Sequence, residues 1–217
     1  MIIAVAGVKG GAGKSTIACN LSAMLKARGR NVVLLDADPQ GTAADWASIR
    51  EQGEAQTIPS VQVVRGVFDT AQGLAENYDD VVIDVPGRDG GAIRQAMGAA
   101  DLVVCPVIPT QADLWSFEQT SELLAEVSNL KKDLSALVVL NRAHTNPRVA
   151  ETAKARKSVS GLDFVRVAES VVHDRAAYYR GMGAGLTGSE SSDPKAAAEM
   201  DKLIEEVLNY ERICQAA

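Results

Sequence analysis

Two lysines, three glycines and two hydroxyl residues lie within eight positions near the start of the chain, in the sequence KGGAGKST at residues 9–16. An apolar run from Ile2 to Gly7 precedes this stretch and predicts a strand, and apolar residues at helical spacing follow from Ser15 to Arg28. A glycine turn between a strand and a helix N-terminus aims several backbone N–H groups at one point, where the helix dipole also favours negative charge. The stretch therefore predicts a phosphate site, with Lys14 reaching the β- and γ-phosphates and Ser15 binding Mg²⁺.

The glycine turn departs from the common P-loop pattern GxxxxGK[ST], because Val8 stands where the first glycine is expected. A second lysine, Lys9, follows it and precedes a pair of glycines. This arrangement resembles the deviant Walker A motif of the ParA/MinD family of ATPases. The resemblance implies a P-loop NTPase fold, ATP and Mg²⁺ as cofactors, and hydrolysis of ATP to ADP and phosphate. A glycine-rich turn that only joins a strand to a helix is the alternative that the residues leave open.

Acidic residues follow two further apolar strands. The run Asn31–Leu35 leads into DADPQG at residues 36–41, and residues 81–83 lead into Asp84. Open α/β sheets bind ligands just beyond the carboxyl ends of their strands, so these carboxylates are expected beside the glycine turn. The first segment resembles switch I of ParA proteins, and the second resembles the Walker B strand that holds Mg²⁺ in P-loop enzymes. A helix N-cap with a turn, and a strand that simply ends in aspartate, are the alternatives.

The family resemblance implies three catalytic roles and a metal site. Lys14 would hold the phosphates together with the loop amides, and Asp38 would orient the attacking water. Lys9 would cross a face-to-face dimer and contact the ATP of the partner, as a trans-acting arginine finger does. The implied Mg²⁺ site, direct or through bound waters, consists of Ser15, Asp36 and Asp84.

The resemblance also implies which residues contact the nucleotide. Gly87, in a glycine-rich loop that resembles switch II, is placed to offer its N–H to the γ-phosphate. An asparagine at the position of Asn141 contacts adenine in the family, although a polar residue at a strand end is the alternative. The complete nucleotide-contacting set is Gly10, Gly11, Ala12, Gly13, Lys14, Ser15, Thr16, Gly87 and Asn141.

Strands and helices alternate along the whole chain. This alternation predicts an α/β fold of three layers, with a parallel sheet covered by helices on both faces, as one domain over residues 1–217. A long helix with an apolar stripe is predicted at Lys195–Ile213, and a mobile surface loop at residues 181–193. Trp115, in the predicted helix Asp113–Ser128, is either a core residue or a dimer contact.

Composition excludes several classes of protein. The net charge of −6 argues against a chain that is basic throughout, although it permits a local basic patch. No apolar run approaches the ~20 residues of a membrane helix, and no charged segment of a signal peptide precedes the first apolar residues. The three cysteines are scattered and odd in number, which indicates reduced thiols in the cytoplasm.

The resemblance favours a small ParA/ParF-like partition ATPase. Such a protein dimerises on ATP, binds nucleoid DNA without sequence preference, and is stimulated by a ParB-like or centromere-binding partner that carries a plasmid, a chromosome origin or a protein assembly. Dimerisation would add two weak basic patches together, which makes DNA binding depend on ATP and on salt. The candidate DNA-binding residues are Arg148, Lys154, Arg156, Lys157, Arg175 and Arg180.

Two other functions on the same fold remain as alternatives. A MinD-like regulator at the membrane surface would need a basic amphipathic C-terminal helix, whereas the predicted one carries Glu205, Glu206 and Glu211, so no membrane partner is expected. A metabolic ATP-dependent synthetase would need extra substrate ligands, and no such constellation is evident. No guanine-recognition motif follows Asn141, which favours ATP over GTP.

Overall fold

The computed structural model describes residues 1–146, 151–159 and 164–215, the last five of these as backbone only. Within these residues one sheet contains seven strands in the order β3-β2-β4-β1-β5-β6-β7. Every described strand pair is parallel, which confirms the predicted α/β fold of the P-loop NTPase type. The strands are β1 (Ile2–Val5), β2 (Val32–Asp36), β3 (Ser60–Gln62), β4 (Asp80–Asp84), β5 (Leu102–Val107), β6 (Ser135–Ala143) and β7 (Val165–His173).

Helices cover both faces of the sheet because alternate strand residues point to opposite sides. Ile3 and Val5 of β1 belong to one apolar core, whereas Ile2 and Ala4 belong to the other. Helices α1 (Lys14–Ala27), α2 (Thr42–Glu51), α7 (Ala176–Gly183) and α8 (Pro194–Gln215) cover the first face. Helices α3 (Val67–Ala75), α4 (Gly90–Ala99), α5 (Gln111–Leu130) and α6 (Glu151–Ser158) cover the second.

Helix α8 docks through the apolar stripe that its sequence predicts. Met200, Leu203, Ile204 and Val207 are buried in the core of the first face, and Leu208 packs against it. In the described part of the chain no helix combines the length and the apolar character needed to cross a bilayer.

Strand β7 continues to His173, well past the predicted strand at residues 164–167, and contains a bulge. The register shifts between the pairs Val138–Val167 and Leu140–Val171, so residues 168–170 lack regular partners in β6. Glu206 of α8 accepts hydrogen bonds of 2.7 Å from the N–H groups of residues 169 and 170. Arg156 of α6 donates to the carbonyl groups of residues 168 and 169. Side chains from both helical layers thus satisfy the bulge.

The prediction of a surface loop at residues 181–193 is only partly correct, and the mobility of this loop stays a prediction. Helix α7 occupies the first part of this segment, and the rest is anchored to α2. The Arg50 side chain, which is 2% exposed, forms two hydrogen bonds with Glu190 at 2.6 and 2.8 Å. Trp46 donates from its indole nitrogen to the Leu186 carbonyl at 3.1 Å. Glycine and serine content alone did not reveal these distant partners on α2.

Candidate functional site

The glycine turn lies at the carboxyl end of β1, the central strand, and α1 begins at Lys14. Gly11 and Gly13 adopt φ angles of 79° and 87°, a region that glycine reaches without steric cost. The turn borders a cavity of about 410 Å³. Of the residues that the sequence analysis assigns to the site, this cavity collects Gly10, Gly11, Gly13, Lys14, Ser15, Thr16, Asp38, Gly87 and Asn141.

Lys14 is folded back onto its own turn. Its ammonium group donates to the Lys9 carbonyl at 2.8 Å, and the residue is 7% exposed. Burial lowers the pKa of this lysine, while the charges of Asp84 and Asp38 act in the opposite direction. A buried cation at the floor of the cavity is a suitable counter-ion for phosphate groups.

Asp84 ends strand β4 beneath the turn and has neither of its carboxylate oxygens hydrogen-bonded in the described structure. Burial raises its pKa to about 7; the Ser15 hydroxyl and the Lys14 charge oppose this rise, and the Asp36 charge adds to it. An unsatisfied buried carboxylate beside a serine hydroxyl suits Mg²⁺, which uses one or two protein ligands together with phosphate oxygens and water.

Asp36 and Asp38 lie at the end of β2 in different environments. Asp36 is fully buried and accepts hydrogen bonds from the N–H groups of Asp38, Ala43 and Ala44 at 2.9 to 3.0 Å. It thereby caps α2, whose N-cap residue is a glycine, so any contact with metal-bound water uses its remaining lone pairs. Burial raises the pKa of Asp36, and these hydrogen bonds oppose the rise. Asp38 lines the cavity itself.

Asn141 reaches the glycine turn from the end of β6. Its side-chain nitrogen donates to the Ala12 carbonyl at 2.7 Å, and the residue is 3% exposed. The structure therefore places Asn141 at the nucleotide cavity and bonds its amide to the turn, while the predicted contact with adenine stays a prediction.

Lys9 is not among the residues that line the cavity of Lys14. It is half-buried and lines a second, small cavity together with Ala12 and Asp113. Trp115, next in the same helical turn as Asp113, is 61% exposed. The core interpretation of Trp115 is wrong, and the dimer-contact interpretation stays a prediction.

A larger groove of about 850 Å³ lies elsewhere, between β7 and α8. Its walls include the carboxylates of Glu169, Glu199, Glu205 and Glu206, and none of the glycine-turn residues. Carboxylates outnumber cations along this groove, which does not suit a polyphosphate, whereas the smaller cavity is lined by the glycine turn and Lys14.

The predicted DNA-binding residues do not form one continuous patch in the described part of the chain. Lys154, Arg156 and Lys157 lie on α6, which packs beside α5 on one face of the sheet, whereas Arg180 lies on α7 on the other. Arg156 is bonded to the β7 bulge as described above.

The remaining members of the predicted DNA-binding set are Arg175 and Arg148. Arg175 donates to Glu199 from two nitrogens, at 2.9 and 2.6 Å, and its side chain is 16% exposed. Arg148 lies outside the described residues.

Residues 3–185 match the family described as the CobQ/CobB/MinD/ParA nucleotide binding domain. The chain belongs to this family. The protein is 35% identical over 213 residues, 95% of each chain, to the maintenance of carboxysome distribution protein A of Halothiobacillus neapolitanus. It is 29% identical over 173 residues to the sporulation initiation inhibitor protein Soj of Bacillus subtilis, covering 62% of this chain and 67% of that one.

Solved structures of ParA/MinD proteins share the fold. Apo McdA from Cyanothece superposes with a TM-score of 0.74 at 18% identity, covering 96% of this chain and 99% of that one. MinD from Pyrococcus horikoshii, complexed with Mg-ADP, superposes with a TM-score of 0.73 at 21% identity and covers 98% of each chain. As a ParA/MinD family member the protein is an ATPase that uses ATP with Mg²⁺.

The cavity also contains residues that sequence reasoning missed. Arg142 directly follows Asn141 near the end of β6, and this position was the only feature of the sequence that could have indicated Arg142 as a site residue. The others come from β7, α7 and the start of α2, far from the glycine turn in sequence. These additional lining residues are Thr42, Arg142, His173, Asp174, Tyr178, Tyr179 and Met182.

Proposed function

We propose that this ATPase dimerises on ATP, binds DNA without sequence preference and positions a large cargo, with hydrolysis stimulated by a partner protein that carries the cargo. Within the site, Lys14 and the amides of residues 10–16 hold the phosphates, and Gly87 donates its N–H to the γ-phosphate. Asp38 orients the attacking water. Ser15, Asp36 and Asp84 hold Mg²⁺ directly or through water, and Asn141 contacts adenine. The unsatisfied carboxylate of Asp84 supports the metal assignment.

The observation that carries the proposed dimer is the placement of Lys9 and Trp115. Lys9 does not line the nucleotide cavity of its own subunit, whereas Lys14 does. Trp115, a residue type enriched at protein interfaces, is exposed on α5, the helix whose Asp113 and Phe117 line the small cavity together with Lys9. A second copy of the chain docked on this face would cover Trp115, and each Lys9 would reach the γ-phosphate of the opposite subunit.

ATP dependence follows from this geometry. The γ-phosphate gives two positively charged turns a shared anion, and ADP lacks that group. A cation supplied across an interface contributes about 10³–10⁵-fold in rate to related phosphoryl transfers. Lys9 is therefore both the interface residue and the catalytic residue of the partner's site.

Dimerisation also explains how a protein of net negative charge can bind DNA, because it brings two copies of a basic surface together. Lys154, Lys157 and Arg180 are exposed near the β7 side of the sheet. Two copies of a weak basic surface on one duplex add through effective concentration, and displaced counterions make the binding steeply dependent on salt. In this proposal the protein acts in the cytoplasm, on the nucleoid. The proposed DNA-binding set also includes Arg148, Arg156 and Arg175. Arg156 and Arg175 contribute less to DNA binding, because their guanidinium groups are already hydrogen-bonded within the protein.

The cargo that fits best is a protein assembly of the carboxysome type. The relative that aligns over 95% of each chain is named for carboxysome distribution. Soj of Bacillus subtilis and the chromosome partitioning protein ParA of Myxococcus xanthus align over 62% of this chain. The stimulating partner would then be an adaptor on the assembly surface, in the place that a ParB-like protein takes on a plasmid.

A DNA titration with ATP, ADP and no nucleotide tests this cycle. Wild type is expected to bind a random duplex only with ATP, with affinity falling as salt rises, and light scattering should show a dimer in that state alone. Lys9→Ala should lose both properties. Lys132→Ala is the matched control, because Lys132 is exposed before β6, at the amino-terminal ends of the strands and away from the glycine turn. Equal DNA binding in all three nucleotide states would refute the switch.

Two further measurements separate the surfaces and the alternatives. Lys154→Glu combined with Lys157→Glu should weaken DNA binding with ATP while leaving the dimer intact, and Lys132→Glu should change neither. Binding of the ATP state to anionic vesicles rather than to DNA would instead identify a MinD-like membrane regulator. Trp115→Ser should weaken dimerisation without changing ATP affinity of the monomer.

A further inference from the structure

Two consecutive residues at the end of β6 hold two consecutive carbonyl groups of the glycine turn. The side-chain nitrogen of Asn141 donates to the Ala12 carbonyl at 2.7 Å. The guanidinium of Arg142 donates to the Gly11 carbonyl at 3.1 Å. We infer that this pair, the carbonyl clamp, holds the turn in its anion-binding shape and that Arg142 is a positioning residue for ATP.

The backbone of Arg142 is shaped for this contact. Neighbouring residues of a regular strand point to opposite faces of the sheet, so two successive side chains would not reach one loop. Arg142 has a φ angle of 52°, the one positive φ found among the described non-glycine residues. This left-handed conformation is disfavoured for a residue with a Cβ, and it persists where surrounding contacts impose it. Here it lets Asn141 and Arg142 approach the same turn.

Holding these carbonyls fixes the direction of the next two amides. The C=O and N–H of a trans peptide unit are coplanar and point in opposite directions. The Gly11 carbonyl belongs to the same peptide unit as the Ala12 N–H, and the Ala12 carbonyl to the same unit as the Gly13 N–H. A clamp on the two oxygens therefore orients two amides of the phosphate-binding turn before any nucleotide arrives, which lowers the ordering cost of binding.

Gly13 is packed against the clamp. A Cβ built on Gly13 would lie 2.3 Å from the side-chain nitrogen of Asn141. The glycine at this position is thus required by its φ angle of 87° and also by the space that the clamp occupies. At Gly11 an added Cβ meets nothing within 4 Å, so its φ angle of 79° alone favours glycine there.

Arg142 also connects the turn to the far wall of the cavity. Its Nε donates to Asp174 at 3.3 Å, and the Tyr179 hydroxyl bonds to the same carboxylate. Asp174 and Tyr179 both line the nucleotide cavity. The guanidinium thus fixes the distance between the glycine turn and the segment that leads from β7 into α7.

The test is nucleotide affinity measured in the Lys9→Ala background, which keeps dimerisation out of the result. Arg142→Ala should weaken ATP and ADP binding about tenfold, as expected for loss of one charge-assisted hydrogen bond. AMP, which carries no β-phosphate for the turn to hold, should change less than threefold. The melting temperature should stay within a few degrees, because the Arg142 side chain is 42% exposed.

Two variants separate the clamp from backbone strain. Arg142→Lys keeps a cation that can reach the Gly11 carbonyl and should restore part of the ATP affinity. Arg142→Gly relieves the left-handed strain but removes the donor, so it should bind ATP as weakly as Arg142→Ala. Wild-type ATP affinity in Arg142→Ala, full recovery in Arg142→Gly, or an equal loss for AMP and ATP would each overturn the clamp. The proposed DNA switch can fail while this result stands, since the measurement needs neither DNA nor a dimer.

Discussion

Gly87 lies directly against the ammonium group of Lys14. A Cβ built on Gly87 would be 3.1 Å from the Lys14 nitrogen and 3.1 Å from the backbone nitrogen of Gly10. Such distances are tighter than most contacts of a real Cβ, and one of the two neighbours is backbone that cannot move aside alone. The loop after β4 therefore packs closely against the glycine turn at Gly87, and this close contact leaves no room for a side chain at residue 87.

Gly87→Ala is expected to lower kcat/KM for ATP about 10- to 100-fold, because a displacement of Lys14 by less than 1 Å misaligns the phosphates. Steady-state phosphate release measures this. Gly73→Ala on α3 is the matched control, since an added Cβ there meets nothing within 4 Å. That variant should keep full activity and gain up to about 1 kcal/mol in stability, because alanine is the better helix former. Equal activity of the two variants would contradict the steric argument.

Asp84→Asn should stabilise the nucleotide-free protein in a pH-dependent way. Burial raises the pKa of Asp84 to about 7, whereas an unfolded aspartate has a pKa of about 3.9. Between these values the folded state binds more protons than the unfolded state, so wild type loses stability as pH rises from about 4 to about 7. Asparagine does not ionise, and the variant should exceed wild type by up to about 4 kcal/mol above pH 7.

Urea denaturation in EDTA at pH 4.5, 6 and 8 measures this difference. The gain should be small at the lowest pH and largest at the highest. The same variant should lose ATP hydrolysis, because the proposed metal ligand is gone. A stability difference that does not vary with pH would show that the carboxyl group is not titrating in this range.

Glu190→Ala is expected to destabilise the fold by about 2–4 kcal/mol, since it leaves the buried Arg50 guanidinium without its carboxylate. The Arg50 side chain is 2% exposed and would keep only the carbonyl groups of Gln56 and Gly185 among its hydrogen-bond partners in the described structure. Glu126→Ala is the matched control, because the Arg94–Glu126 pair is solvent-exposed and such pairs contribute little. Equal urea midpoints for the two variants would show that the segment around Glu190 is not held by this pair.

Glu206→Ala should cost about 1–3 kcal/mol of unfolding free energy, because two backbone N–H groups in the β7 bulge lose their acceptor. The neighbouring Glu205→Ala is the control, since Glu205 is exposed and pairs only with Arg28 at the surface in the described structure. Hydrogen exchange at residues 169 and 170 gives a local readout. Unchanged protection there in Glu206→Ala would contradict the assigned role.

The parts of the site that could be predicted from sequence are those encoded by adjacent residues. The turn around Lys14 and the aspartates that end β2 and β4 each combine a glycine or acidic signal with an apolar strand next to it. Parallel strands then bring their carboxyl ends to one edge of the sheet, so local signals were enough to place Asp38 and Asn141 at one cavity.

The failures concern contacts between distant residues. Arg50 and Glu190 are 140 positions apart, and the residues next to each of them in the sequence do not indicate that the two form a pair. An apolar residue on a helix is buried only if another element packs over it, which is why Trp115 could not be placed. Arg142 adopts a backbone conformation that its residue type disfavours, so propensity pointed away from the clamp.

The position of β1 has a consequence for the protein during its synthesis. Its two hydrogen-bonded neighbours are β4 at residues 80–84 and β5 at residues 102–107, so the ribosome makes the strand long before either flank exists. A nascent chain that stalls before residue 80 leaves the nucleotide-binding turn attached to an unpaired strand, and one that stalls before residue 102 leaves that strand paired on one side only. Cellular ATP can therefore protect from proteases only those chains whose translation has already passed residue 107.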